Sequence, residues 1–252
     1  MKIVTWNVNS LKVRLPHVLD WLAEHQPDVL CLQETKTEDA KFPLSEIQQA
    51  GYQVQYSGQK TYNGVAILSK QPASDIQMGI PGFTDEQKRV ITATIDGVRI
   101  VCVYIPNGQS LDSDKYQYKL SWLQALQTWL ADELKQHPKL ALLGDYNIAP
   151  EDRDVHDPAV WVGNVLVSEP ERAAFKALQQ LGLRDAFRLF EQPEKIFSWW
   201  DYRMMGFRRN HGMRIDHILI SPALVCGACN IDKAPRKLER PSDHTPVWAE
   251  VG

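Results

Sequence analysis

Apolar positions along this chain fall into two periods. Runs that are apolar on consecutive residues, KIVTWNV, VLCLQET, GVAILS, RVITATI, VRIVCVYIP and KLALLGDYN, predict strands buried on both faces. Between them, spacings of three and four mark helices. These are an amphipathic stretch from Pro16 to Glu24, PLSEIQQAG stopping on Gly51, a long helix over about Ser113 to Lys135, and another over Glu169 to Leu181. In the long helix Trp122, Leu123, Leu126, Trp129, Leu130 and Leu134 share one face. Asp96-Gly97 is a two-residue hairpin signal, and FSWWDY, RIDHILIS and PVWAEV add later strands. Hairpins mixed with helical crossovers do not make a repeated βαβ unit. They predict an α/β sandwich, two packed mixed β-sheets flanked by helices. No repeat, low-complexity tract or Gly/Ser linker divides the chain, so residues 1–252 are expected to form a single domain.

Composition narrows the function classes. The chain is 44% hydrophobic and 23% charged, close to the average for a globular protein, and its formal charge of −3 gives no global attraction for a polyanion. Any affinity for nucleic acid must then come from a local patch. No stretch approaches the ~20 apolar residues of a membrane span. MKIVTWNVNS breaks its apolar run at Asn7 and Asn9, which is too polar for a signal peptide, so the expected location is cytoplasmic. Cys31 and Cys102 sit inside strand runs and read as buried small hydrophobes. Cys226 and Cys229 form a CGAC pair without a second pair to complete a zinc site, and read as reduced thiols in a turn.

The strands share one peculiarity: they end in groups that resist burial. Asn7 and Asn9 close the first, Glu34 the second, Tyr104 and Asn107 another, Asp145 and Asn147 the strand KLALLGDYN. A lone Asn or Asp is an ordinary turn residue. Recurrence at four strand ends, with Asp216 and Asp243 later, predicts one polar rim. Such a rim crowds carboxylates and calls for a cation. Carboxylates and amides with few histidines suit Mg²⁺, with Mn²⁺ as a substitute, over zinc.

RPSDHTPVW sets His244 beside Asp243. Neighbours in an extended chain point oppositely, so His244 is expected to seek Asp216 instead, which would fix its tautomer and hold it charged. A Ser-His-Asp hydrolase is disfavoured because no G-x-S-x-G elbow exists. In KIFSWWDYRMMGFRRNHGMR, basic residues including Arg208 and Arg209 interleave with Phe197, Trp199, Trp200, Tyr202 and Phe207. Two readings stand side by side: cations and rings for a nucleic acid, or core aromatics beside a solvated basic loop.

Taken together, TWNVNS, LQETK, YIPNG, GDYNIAP, SWWDYR, GMRIDHIL and PSDHTPVW, in order over almost the full length, resemble the exonuclease III family of DNA-repair nucleases. The resemblance implies a four-layer α/β sandwich, divalent-metal dependence, and a monomer acting on double-stranded DNA at abasic sites or blocked 3′ ends. It implies Glu34 as a metal ligand, with Asn9 near it and Asp243 a further acid. It also implies Asn7, Tyr104 and Asn107 as phosphate and active-site contacts, Asp145 oriented by Asn147 as the residue that activates water, and Asp216 with His244 at the phosphate. Trp199 and Met213 fall where the family builds its pocket for the abasic sugar. One departure stands out: the family's small-residue stretch of the Asn-Ala-Gly-Phe kind reads Asn164-Val165-Leu166-Val167 here. The bulkier residues are expected to narrow that pocket and favour 3′ ends. The alternatives are a related phosphatase acting on small phosphoesters or lipids, or a catalytically silent DNA-binding module.

Overall fold

A computed structural model describes residues 1–252. Along the chain the elements are β1 (Lys2–Asn7), α1 (Leu11–His25), β2 (Val29–Gln33), α2 (Leu44–Gln49), β3 (Gln53–Ser57), β4 (Val65–Ser69), β5 (Ser74–Met78), β6 (Val90–Ile95) and β7 (Val98–Tyr104). There follow α3 (Asp114–Gln136), β8 (Leu140–Asp145), α4 (Pro158–Trp161), α5 (Glu169–Gln180), β9 (Arg184–Asp185), β10 (Trp199–Trp200), α6 (Gly206–Arg209), β11 (Gly212–Met213), β12 (Asp216–Ile220), β13 (Cys226–Ile231) and β14 (Val247–Val251). Two six-stranded sheets form, in the orders β13-β14-β1-β2-β4-β3 and β5-β6-β7-β8-β12-β9, and β10 pairs with β11 alone. Both large sheets are mixed: β1 runs parallel to β2 and β7 parallel to β8, while the other pairs are antiparallel.

Three apolar layers follow from strand alternation. Ile3, Val29, Cys31, Ile100, Cys102, Ala141, Leu143, Ile218 and Ile220 point into the gap between the sheets. Their neighbours Val4, Trp6, Leu30 and Leu32 point outward to Val18, Trp21 and Leu22 of α1. On the other side Val101, Leu140 and Leu142 meet Trp122, Leu126 and Leu130 of α3 and Phe175 of α5. Fully burying each such side chain contributes roughly 1.5–3 kcal/mol. Helices outside, sheets inside, is the four-layer arrangement expected from the sequence.

Several local readings are corrected. The first helix starts at Leu11, not Pro16, because Leu11 buries on the same face as Val18 and Leu22; Pro16 lies inside the helix. FSWWDY is strand only at Trp199–Trp200, in a two-residue ladder to Gly212–Met213. CGAC lies in the edge strand β13, not a turn; a bulge between Cys226 and Ala228 breaks its alternation, and both thiols are free. No helix is long and apolar enough to cross a membrane.

Candidate active site and metal centre

Strand parity builds the site. Asn7 continues the inward-facing series Ile3–Thr5, Tyr104 continues Ile100–Cys102, and Asp145 continues Ala141–Leu143. Asp216 opens the series that runs on through Ile218 and Ile220. Register then aligns them, with Tyr104 opposite Asp145 and Asp145 opposite Asp216 across three neighbouring strands. All four side chains therefore enter the inter-sheet gap at one end. Gly144 makes this possible, because a Cβ there would lie 1.9 Å from the Val103 carbonyl oxygen, so only glycine lets β8 lie this close to β7.

Hydrogen bonds lock the cluster across the gap. The Asn7 amide nitrogen donates to Asp145 Oδ2 (2.8 Å) and to Glu34 Oε1 (2.8 Å), tying one sheet to the other. Asn147 donates its backbone N–H to Asp145 Oδ1 (2.9 Å) and its side-chain amide to the Ile105 carbonyl (2.9 Å), and Asn107 Nδ2 donates to Asn147 Oδ1 (3.1 Å). His244 Nδ1 meets Asp216 Oδ2 at 2.9 Å, while its Nε2 stands 3.6 Å from Asp145 Oδ2. Asp216, not the adjacent Asp243, is thus the partner of His244, as sequence geometry required. Glu34 (φ 50°), Asn9 (φ 43°) and Asn147 (φ 50°) all sit in the left-handed region, a backbone strain that the surrounding bonds hold in place.

The charges are far from balanced. Burial pushes the Asp145 carboxyl up to about 7, with the His244 charge opposing and Asp216 reinforcing the shift. Burial also disfavours a charged His244, but Asp216 and then Asp145 outweigh it and raise the imidazole to about 10. His244 is therefore an imidazolium at neutral pH. Burial, then Glu34 and Asp145, lift the Tyr104 phenol well above its ordinary value, so it stays a neutral donor.

Ligand atoms of Glu34, Asp145 and His244 lie within 4.8 Å of one another, so the cluster could hold a metal ion. A charged imidazole does not ligate, which leaves the carboxylate oxygens of Glu34 and Asp145. Hard oxygen donors beside buried, uncompensated negative charge fit a divalent cation of the Mg²⁺ type. Lys36, unremarked in the sequence, pairs with Glu34 Oε2 at 2.9 Å and also donates to Asn9 Oδ1.

The remaining sequence candidates fall into two groups. Asn9 donates to Asp243 Oδ1 (2.9 Å) and the Trp199 indole donates to Asp243 Oδ2 (3.0 Å), so these three line the rim beside the cluster. Trp199 pairs in register with Met213, and both pack with Val165 and Leu166. Asn164, Arg208 and Arg209 are exposed and stand apart; Asn164 bonds only the carbonyls of Trp161 and Val162 in its own loop. The aromatic segment divides between its two readings. Phe197 and Trp200 are fully buried, and Trp200, Phe207 and Tyr202 surround the Arg236 guanidinium, whereas Trp199 and Tyr202 reach the rim. Sequence reading also missed Ser198, whose hydroxyl donates to Asp216 Oδ2 (2.6 Å) and accepts from the Asp216 amide (3.0 Å). Its position between Phe197 and Trp199 in a strand-like run carried no signal.

Fold and site together define a metal-assisted phosphoesterase on a two-sheet sandwich. The chain belongs to the Endonuclease/Exonuclease/phosphatase family, whose profile matches residues 4–244. It is 38% identical to exodeoxyribonuclease III of Haemophilus influenzae, over 99% of each chain. Among solved structures it superposes on the 3′ phosphatase NExo from Neisseria bound to a product DNA hairpin, with a TM-score of 0.98 and 48% identity over 100% of this chain and 99% of that one. An AP endonuclease from Archaeoglobus fulgidus matches with a TM-score of 0.96 and 41% identity, over 99% of this chain and 98% of that one.

Proposed function

We propose that residues 1–252 form one catalytic domain, a monomeric cytoplasmic enzyme that hydrolyses phosphoester bonds of damaged duplex DNA in base-excision repair. Its substrates are blocked 3′ ends and abasic sites. The observation that carries this reading is the opposition of Asp145, held by the Asn7 and Asn147 amides, and the His244 imidazolium 3.6 Å away. Asp145, held by Asn7 and Asn147, takes the proton of the attacking water. Charged His244, aligned by Asp216, steadies the negative charge that grows on the phosphoryl oxygens, while the amides of Asn7 and Asn147 hold Asp145 in place; one such preorganised donor is commonly worth about 10²- to 10³-fold in rate. Mg²⁺, or Mn²⁺ in its place, held by Glu34 and Asp145 when bound, would supply positive charge for the phosphoryl oxygens and the departing 3′-oxygen. Asp243 and Asn9 support this corner through Lys36 and Trp199. The same P–O3′ bond breaks in abasic-site incision, 3′-phosphate removal and exonuclease trimming, so one site serves all three.

DNA affinity is local, as the net charge requires. A groove of about 610 Å³ beside Tyr104 and Asn107 carries Arg89, Lys115 and Tyr62, and Tyr202 reaches Asn9 at the rim. Cations here would neutralise phosphates and make binding fall steeply with salt.

The wall of the sugar pocket favours 3′ ends. Leu166 is only 4% exposed, holds φ at 76°, and packs with Val165, Met213 and Trp199 where a flipped sugar would need room. Leu166→Gly opens that wall and also suits the positive φ. The test is a parallel assay on abasic, 3′-phosphate and recessed 3′-hydroxyl duplexes, with and without chelator. Chelator is expected to abolish cleavage of all three, and Leu166→Gly to raise the abasic rate relative to the 3′-phosphate rate. Cleavage that survives chelation sinks the metal-dependent reading, and an unchanged ratio sinks the role of Leu166.

A further inference from the structure

A second ionic pair lies beneath the amides of the site. Lys119, in the second turn of α3, and Glu171, in the first turn of α5, are both fully buried and bonded to each other. The Lys119 ammonium has three N–H donors, and three acceptors surround it: the Glu171 carboxylate, the Asn107 carbonyl (3.1 Å) and the Asn147 carbonyl (2.7 Å). Glu171 is equally committed. Its Oε1 accepts from the Leu166 amide (3.0 Å), and its Oε2 accepts from the amide (3.0 Å) and hydroxyl (2.6 Å) of Ser168.

Glu171 thus does two jobs with one carboxylate. With Ser168 it forms the capping box that starts α5, and with Lys119 it grips two carbonyls on which the amides of the site are mounted. A capping box alone needs no buried lysine. Burying a charged pair commonly stabilises a protein no better than apolar residues of equal volume, so stability does not account for it. What it joins is specific: the Asn107 and Asn147 backbones on one side and the Leu166–Ser168 loop on the other.

We propose that Lys119 and Glu171 are positioning residues that fix the Asn107 and Asn147 amides relative to the Val165–Leu166 wall, so that turnover and choice of DNA end are set through one buried link. This rests on the reading that Asn147 aligns Asp145 for attack on a phosphoester. Neither residue touches substrate; both act through Asn147 and the loop.

The experiment compares Lys119→Met, Glu171→Gln and the paired Lys119→Met/Glu171→Leu on abasic and 3′-phosphate duplexes. Lys119→Met is also measured in an Asn147→Ala background. Lys119→Met is expected to lower kcat on the order of 10- to 100-fold with KM within about twofold, since small misplacements near a reacting group cost this much. It should cost less than about threefold once Asn147 is gone, because coupled residues do not add. The paired variant is expected to melt above either single variant, since no buried charge is left alone, but not to recover kcat. Hydrogen exchange supplies a readout independent of cleavage: Glu171→Gln should speed exchange of the Leu166 and Ser168 amides. A paired variant that regains kcat along with its melting temperature, multiplicative effects of Lys119→Met and Asn147→Ala, or unchanged exchange at Leu166 would each overturn the proposal. A parent protein inert on every duplex would instead refute the reading of function, leaving the exchange result to judge the link itself.

Discussion

Asp216 and His217 are neighbours on β12, yet they look into opposite worlds. His217 faces the outer layer, where Arg214 donates to its Nδ1 (3.0 Å) and its Nε2 donates to the Ile148 carbonyl (2.8 Å). Arg214 also binds Asp154 (2.7 Å) and Asp185 (2.8 Å), and Arg188 adds a second cation to Asp154. Two cations face two anions, and the cluster is self-contained. Asp216 faces the gap, where Asp145 and Glu34 join it against His244 and the more exposed Lys36. Burial acts on both carboxylate sets alike, but the outcomes differ. Arg214 outweighs burial and holds Asp154 below the usual carboxylate range, whereas Asp145 is left high, at about 7. The imidazoles invert in the same way: burial and then Arg214 press His217 down to about 4, while His244 rises to about 10. A buried cluster that satisfies itself holds structure together; one left short of positive charge is prepared for a ligand that brings it.

The sharpest way to break this contrast is to remove one carboxylate from each side. Asp145→Asn takes away the proposed acceptor for the water proton while keeping the shape, and is expected to lower cleavage about 10²- to 10⁴-fold with duplex affinity near parental. Single-turnover cleavage beside a binding titration checks it, and near-parental cleavage would show Asp145 miscast. On the balanced side, Arg214→Met strands Asp154 and Asp185 in the interior. It should cost about 3–5 kcal/mol of unfolding free energy, read by urea titration, while the folded fraction keeps nearly parental turnover. If instead turnover collapses with stability intact, the outer cluster belongs to the chemistry after all.

The same contrast explains what the sequence disclosed. Both sheets were visible in their central strands, which are apolar on consecutive residues, and hidden at their edges. β3, β5, β9 and β13 are the four edge strands, and QVQYS, SDIQM, RD and CGACNI carry too little apolar pattern to announce themselves. Their pairing comes from the neighbour's backbone, which side-chain periodicity does not report. At the site, Asn7, Glu34, Tyr104, Asp145 and Asp216 were legible because each interrupts or bounds an apolar run. Ser198, Lys36, Lys119 and Glu171 were not. They sit where a polar residue looks ordinary on a helix or loop, and only the tertiary fold turns them toward the centre.

The smallest effect, and the most discriminating, is in pH. His244 has a folded value raised above its ordinary 6.5 to about 10, so the stability it contributes is complete below about 6.5 and is lost as pH climbs through 10. His217 runs the other way: neutral in the fold with a value near 4, it leaves stability complete above 6.5 and erodes it as pH falls toward 4. Catalysis separates them, because only His244 has to be charged. The parent's kcat should therefore rise as Asp145 ionises through about 7 and decline only as pH approaches 10. Asp216→Asn removes the largest force that keeps the imidazole protonated, so the alkaline limb should move down toward the ordinary imidazole range, with modest loss at pH 6 and a widening deficit above it. The profile is measured under saturating duplex and Mg²⁺. An alkaline limb that stays put in Asp216→Asn would mean that some other group titrates there, and that His244 is held charged by something other than the acid across the strand.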